Sequence, residues 1–145
     1  IENDEMGHGL DASLELEKHL ALVMDIHHHW IRDEEYIDPN DDRVKRVIDS
    51  WRGQRPTMHY SYSRDEHLAP ANLGDKTHTE MHDIKMLLER GCKKQKLRAH
   101  SDLLPNAKVN DWALSFGEHF DIQTEAKGKN MAAEQLYRQH LQNSI

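Results

Sequence analysis

Cysteine is nearly absent from this chain. Cys92 is the sole thiol in 145 residues, so no disulfide forms within it, and the composition suits a cytoplasmic or other reducing compartment. Long apolar runs are missing too. The run Leu20-Ala21-Leu22-Val23-Met24 falls far short of the ~20 residues that a membrane helix needs, and no signal peptide is visible. The chain starts at Ile1 rather than Met, which fits removal of residues upstream. Basic charge is in deficit, with 19 Lys and Arg against 26 Asp and Glu and a formal net charge of -7. Phosphate contacts need a basic face, so this balance argues against nucleic acid as the main partner. There is no glycine-rich phosphate loop. Apolar residues are scarce at 37% beside 31% charged. Such a lean core is readily completed by another chain, by self-association or by a ligand.

What the chain has in excess is histidine, twelve in all. Half-protonation of these near an unperturbed pKa of about 6.5 would bring the net charge close to zero.

The length suits one domain. Residues 1–9 are polar and expected to fray, leaving a single helical domain over 10–145. Leu16, Leu20, Val23, Met24, Trp30 and Ile31 follow a 3.6-residue period and predict a long helix from Asp11 to about Tyr36. Asp38-Pro39 is a helix-opening pair, and Val44, Val47, Ile48 and Trp51 form a buried stripe ending at Gly53. Residues 54–76 show neither helical nor strand period and read as one long loop. Thr77-His78-Thr79-Glu80 has the capping-box pattern ahead of Met81, Ile84, Leu87 and Leu88. A short helix near the 93–98 lysine cluster, one capped by Asn110 and one after Gly128 complete the reading. The expected fold is all-α, an irregular bundle of about five helices.

The histidines offer metal chemistry. His78 and His82 are four apart, a spacing that lets two imidazoles on one helix face share a divalent ion. Glutamate does not follow the first histidine, as it does in zinc proteases; Thr79 stands there. His27 lies on the first helix's apolar stripe, while His28 and His29 turn away with Asp25 in ion-pair reach. Asp25-x-x-His28 and Asp75-x-x-His78 are shortened versions of the Glu-x-x-His pairs of dimetal bundles. His119 and His140 sit near apolar faces, where a histidine is usually a hydrogen-bonded core residue. Ser61, Ser63, Asp65 and His67 hold the residue types of a hydrolase triad without a nucleophile turn. Cys92 beside Lys93-Lys94 reads as a structural thiol.

No complete catalytic constellation emerges. The leading reading is a non-catalytic accessory or interaction subunit, of the kind that serves a larger enzyme, that meets another protein chain or its own copy through His59, Tyr60, Tyr62 and His67 in the long loop. The alternative is a histidine-dependent protein binding zinc, iron or copper, with His78, His82 and His27 as ligands.

Overall fold

The computed structural model describes residues 1–144. Among them are eight α-helical segments and a three-stranded parallel sheet in the order β1-β2-β3. The expected all-α bundle is therefore incorrect; the protein is α/β. In chain order the elements are α1 (Leu10–Leu14), β1 (Met24–Asp25), α2 (Ile26–Asp33), α3 (Asp42–Asp49), β2 (Thr57–Tyr60), α4 (Asp65–Leu68), α5 (Ile84–Glu89), α6 (Lys94–Leu97), α7 (Ala107–Leu114), β3 (Asp121–Thr124) and α8 (Asn130–Asn143). Two short 3-10 turns, Ala69–Ala71 and Gly74–Lys76, follow α4.

The single helix expected over 11–36 is three elements. Only the last residue of its apolar run, Met24, enters β1, with Leu22 at 1% exposure before it and Ile26 at 0% after it. A strand buried on both faces carries no polar alternation, so its composition matches that of a buried helix. The expected loop at 54–76 contains β2, the central strand, with Met58 and Tyr60 fully buried. The Thr77 capping box is not used. Asp83 caps α5 instead, accepting from Lys85 N, and Asn106 rather than Asn110 caps α7.

The parallel register places the site. Met24, Met58 and Ile122 are partners across the three strands, and Asp25, His59 and Gln123 form the next row. Successive residues point to opposite faces of a sheet, so the first row and the second face different ways. Glu125 lies two residues beyond Gln123 and returns to the side of Asp25 and His59. On the other side of β1, Glu2 bridges Val23 in parallel sense. Segment 1–9 thus joins the sheet at Glu2, with Asn3 at 1% exposure and Glu5 at 6%.

Candidate metal centre

Each member of the site is placed by a different local device. Asp25 ends β1 and begins α2. Its Oδ1 caps α2, accepting from His27 N at 3.0 Å and His28 N at 2.8 Å. Its Oδ2 is buried and accepts no hydrogen bond. One oxygen is committed to the fold and the other is left for the site. His59 stands beside Asp25 in register. Its Nδ1 lies 3.0 Å from Glu2 Oε1 and 3.1 Å from Glu125 Oε1. Glu125 leaves the end of β3, and its N–H donates to Tyr60 O at 2.8 Å. Its Oε1 is buried, and the His59 Nδ1 beside it is hydrogen-bonded to Glu2 instead.

Glu2, Asp25, His59 and Glu125 each offer one donor atom, all within 4.8 Å of one another. A second group, Asp4, Glu5 and His28, meets the same criterion. His28 bridges the two, with Nδ1 3.3 Å from Asp25 Oδ2 and Nε2 3.3 Å from Glu5 Oε2. Glu5 Oε2 is a third buried oxygen with no hydrogen-bond partner.

The electrostatics mark an anionic pocket. Burial drives the Asp25 carboxyl well above the usual carboxylate range, and Glu2 and Glu125 add to this. Glu125 and Glu2 are both held low, chiefly by the His59 imidazole beside them. The same two carboxylates hold the His59 imidazole well above its ordinary value. His100 faces the same groove half-buried, and desolvation lowers its pKa, which favours the neutral ring. Three carboxylates and an imidazole, with buried oxygens left over, fit a divalent cation. The mixture of oxygen and nitrogen donors suits manganese, iron, cobalt or zinc better than an all-oxygen calcium cage.

The three histidines read as metal ligands from sequence lie elsewhere. His78 Nε2 lies 2.6 Å from Asp65 Oδ1, on the surface. His82 is buried, with Nε2 on Thr77 O at 3.0 Å. His27 is fully enclosed, with Nε2 on Leu97 O at 3.1 Å, and desolvation pushes it down to about 3. His27 and His82 line one small internal cavity with Trp30, Tyr62 and Trp112; His78 is not part of it. His59, read as an interaction residue, is found in the carboxylate cluster, and His28 beside it in the second group. Of its companions, His67 is half-buried near Glu66. Tyr60 and Tyr62 are core residues, with hydroxyls donating to Asn110 Oδ1 at 2.7 Å and Thr77 O at 2.9 Å. Sequence reasoning missed Glu2 and Glu125 entirely. Asp25-x-x-His28 is visible as an ion-pair spacing and as a shortened dimetal-bundle pair, but nothing in the sequence joins it to His59.

The family model for the UV-endonuclease UvdE matches residues 1–144. The chain belongs to this family. No curated protein and no solved structure matches it significantly.

Membership in the UvdE family overturns the reading as a non-catalytic accessory subunit, because the family is one of endonucleases. It also removes the ground for setting nucleic acid aside. A net charge of -7 is a sum over the whole chain. Several of the acids behind it are gathered in one pocket, where a bound cation would offset them. Among the described residues no helix is long and apolar enough to cross a membrane.

Proposed function

We propose that this protein is a metal-dependent endonuclease that hydrolyses a phosphodiester bond of ultraviolet-damaged DNA. The observation that carries the reading is the convergence of Glu2, Asp25, His59 and Glu125 at the ends of adjacent parallel strands. The carboxyl ends of parallel strands are where α/β folds place their chemistry. Membership in a family of UV-endonucleases supports ultraviolet-damaged DNA as the substrate class.

Asp25, His59, Glu2 and Glu125 would hold the ion. A divalent ion there would offset charge on a phosphoryl oxygen and supply a nucleophile from water near neutral pH. The chain's own contribution is orientation. The α2 N-terminus fixes Asp25 through two backbone N–H groups, leaving its other oxygen aimed into the pocket. His28 is steadied by Asn3 O at 2.9 Å. With Asp4 and Glu5 it adds a second donor group, the arrangement suited to clamping both the attacking and the leaving oxygen of an in-line displacement.

The test is nicking of supercoiled plasmid, irradiated or not, with manganese, zinc, magnesium, iron or cobalt added after chelation. The expected result is irradiation-dependent nicking restored by at least one of these ions and lost in EDTA. Failure to nick irradiated DNA with any of them would overturn the proposal.

A further inference from the structure

The metal cluster opens onto a groove of about 1020 Å³ lined by both acidic and basic side chains. The acids are those already described. The basic wall comes from the α6–α7 connection and from the β3–α8 loop beyond Glu125, and it carries Arg98, Lys127 and Lys129. We infer that Arg98, Lys127 and Lys129 bind backbone phosphates of the DNA flanking the bond to be cut, so that the duplex lies along this wall. The inference rests on the endonuclease reading and deepens it by placing the substrate backbone.

Three observations carry it. First, Lys127 and Lys129 are exposed and make no ion pair among the described residues, although both border a groove rich in carboxylates. Their charge is available to a ligand. Second, Arg98 is held at one end only. Its Nε is 2.9 Å from Glu5 Oε1, and its side chain is 52% exposed with no other partner among the described residues. An anchored guanidinium keeps the outer edge of its fork for a phosphate, which it can grip through two N–H groups. Glu5 also belongs to the second donor group, so Arg98 ties the phosphate wall to the metal pocket. Third, the backbone that presents the lysines is fixed. Lys127 N donates to Ser101 O at 3.0 Å and Gly128 N to Asp102 O at 2.7 Å, which seats this loop against the segment carrying Arg98 and His100. Gly128 cannot be replaced there, because a Cβ would lie 2.4 Å from Asp102 O. The three cations therefore share one rigid strip beside the carboxylates instead of being scattered over the surface.

The direction of the strip matters chemically. Carboxylates alone repel a phosphodiester. A basic strip on one side brings in the flanking phosphates, and the scissile one then falls over the cluster.

The test measures binding of a fluorescent duplex in EDTA, where cleavage is off, across a salt series. Each lost phosphate contact removes about 0.9 from the slope of log affinity against log salt. Lys127→Ala/Lys129→Ala should therefore flatten the slope by about 1.8 and weaken binding of irradiated and unirradiated duplex alike. Arg98→Ala should remove a further ~0.9. Lys127→Arg/Lys129→Arg should keep the slope, which separates lost charge from misfolding. Lys45→Ala, in an exposed pair with Asp42 on α3, is the control and should change nothing. A slope unchanged in the double alanine variant overturns the inference, even if the protein nicks irradiated plasmid and the endonuclease reading stands. A wild-type protein that shows the expected slopes but never nicks overturns the endonuclease reading and leaves the phosphate strip in place.

Discussion

Asn3 and Asp25 are bound to each other twice. Asn3 Nδ2 donates to Asp25 O at 3.0 Å, and Asp25 N donates to Asn3 Oδ1 at 2.8 Å. The asparagine side chain thus imitates a strand backbone and seals Glu2 and its neighbours to the outer edge of β1. Both groups it satisfies are buried. Asn3→Ala should leave them unpaired, at about 1–3 kcal/mol for an orphaned buried polar group. For a chain of this size each kcal/mol lowers Tm by about 2–4 °C. Calorimetry should show a drop of several degrees, together with reduced metal content because Glu2 is no longer held. An unchanged Tm would mean that the first residues are not docked on the sheet.

How much of this was readable depends on where each signal lies. Val44 and Val47 sit at helical spacing, and α3 buries both fully. α8 begins after Gly128, where a helix is expected, but Tyr137 and Leu141 on it are exposed and it buries Ala132 and Leu136 instead. The strands were hidden for different reasons. β1 is buried on both faces and looks like a helix interior. β3, Asp121-Ile122-Gln123-Thr124, has too little apolar content to signal a strand. β2 does alternate, with Met58 and Tyr60 inward and Thr57 and His59 half-buried, but four residues among prolines and tyrosines are a faint pattern. The site was hidden because its donors come from four separate segments that only the parallel register unites. Glu2 lies in a polar terminus and Glu125 in a lysine- and glycine-rich stretch, neither a place where composition suggests chemistry.

Tyr60 reports whether the 54–76 segment belongs to the domain itself. Its hydroxyl donates to Asn110 Oδ1 at 2.7 Å with both residues buried. Tyr60→Phe should cost about 1–3 kcal/mol by leaving that acceptor short of a donor. The amides of β2 should exchange slowly in the isolated chain, because the strand is paired on both sides. Rapid exchange of His59 and Tyr60 in the absence of any partner would contradict this placement.

Metal content should separate the histidines sharply. His59→Ala removes the only imidazole of the four-residue group and should lower bound metal and nicking together by tenfold or more, within the ~10–100-fold losses typical of perturbed metal sites. His78→Ala should leave both near the wild-type level, because His78 is paired with Asp65 on the surface. Elemental analysis of untagged protein gives the answer. Equal losses in the two variants would indicate adventitious surface binding.

Asp25 should show function set against stability. Its carboxylate is fully buried, beside Glu2 and Glu125. Without a cation, that placement strains the fold by burial and like-charge repulsion. Asp25→Asn keeps the shape and the α2 cap, since asparagine caps helices as well as aspartate does, and it removes the charge. The metal-free variant should therefore melt higher than the metal-free wild type, by about 0.5–2 kcal/mol, as is common when a functional charge is neutralised. Adding manganese or zinc should then reverse the order. An ion that binds only the native state stabilises it by about 2.7 kcal/mol at a hundred times its Kd, and the variant has lost a ligand for it. Thermal melts of both proteins, in EDTA and with metal, make the comparison. A variant less stable than wild type in EDTA would show that Asp25 stabilises the fold through its charge. The cluster would then be a structural ion-pair network instead of a site held ready for metal.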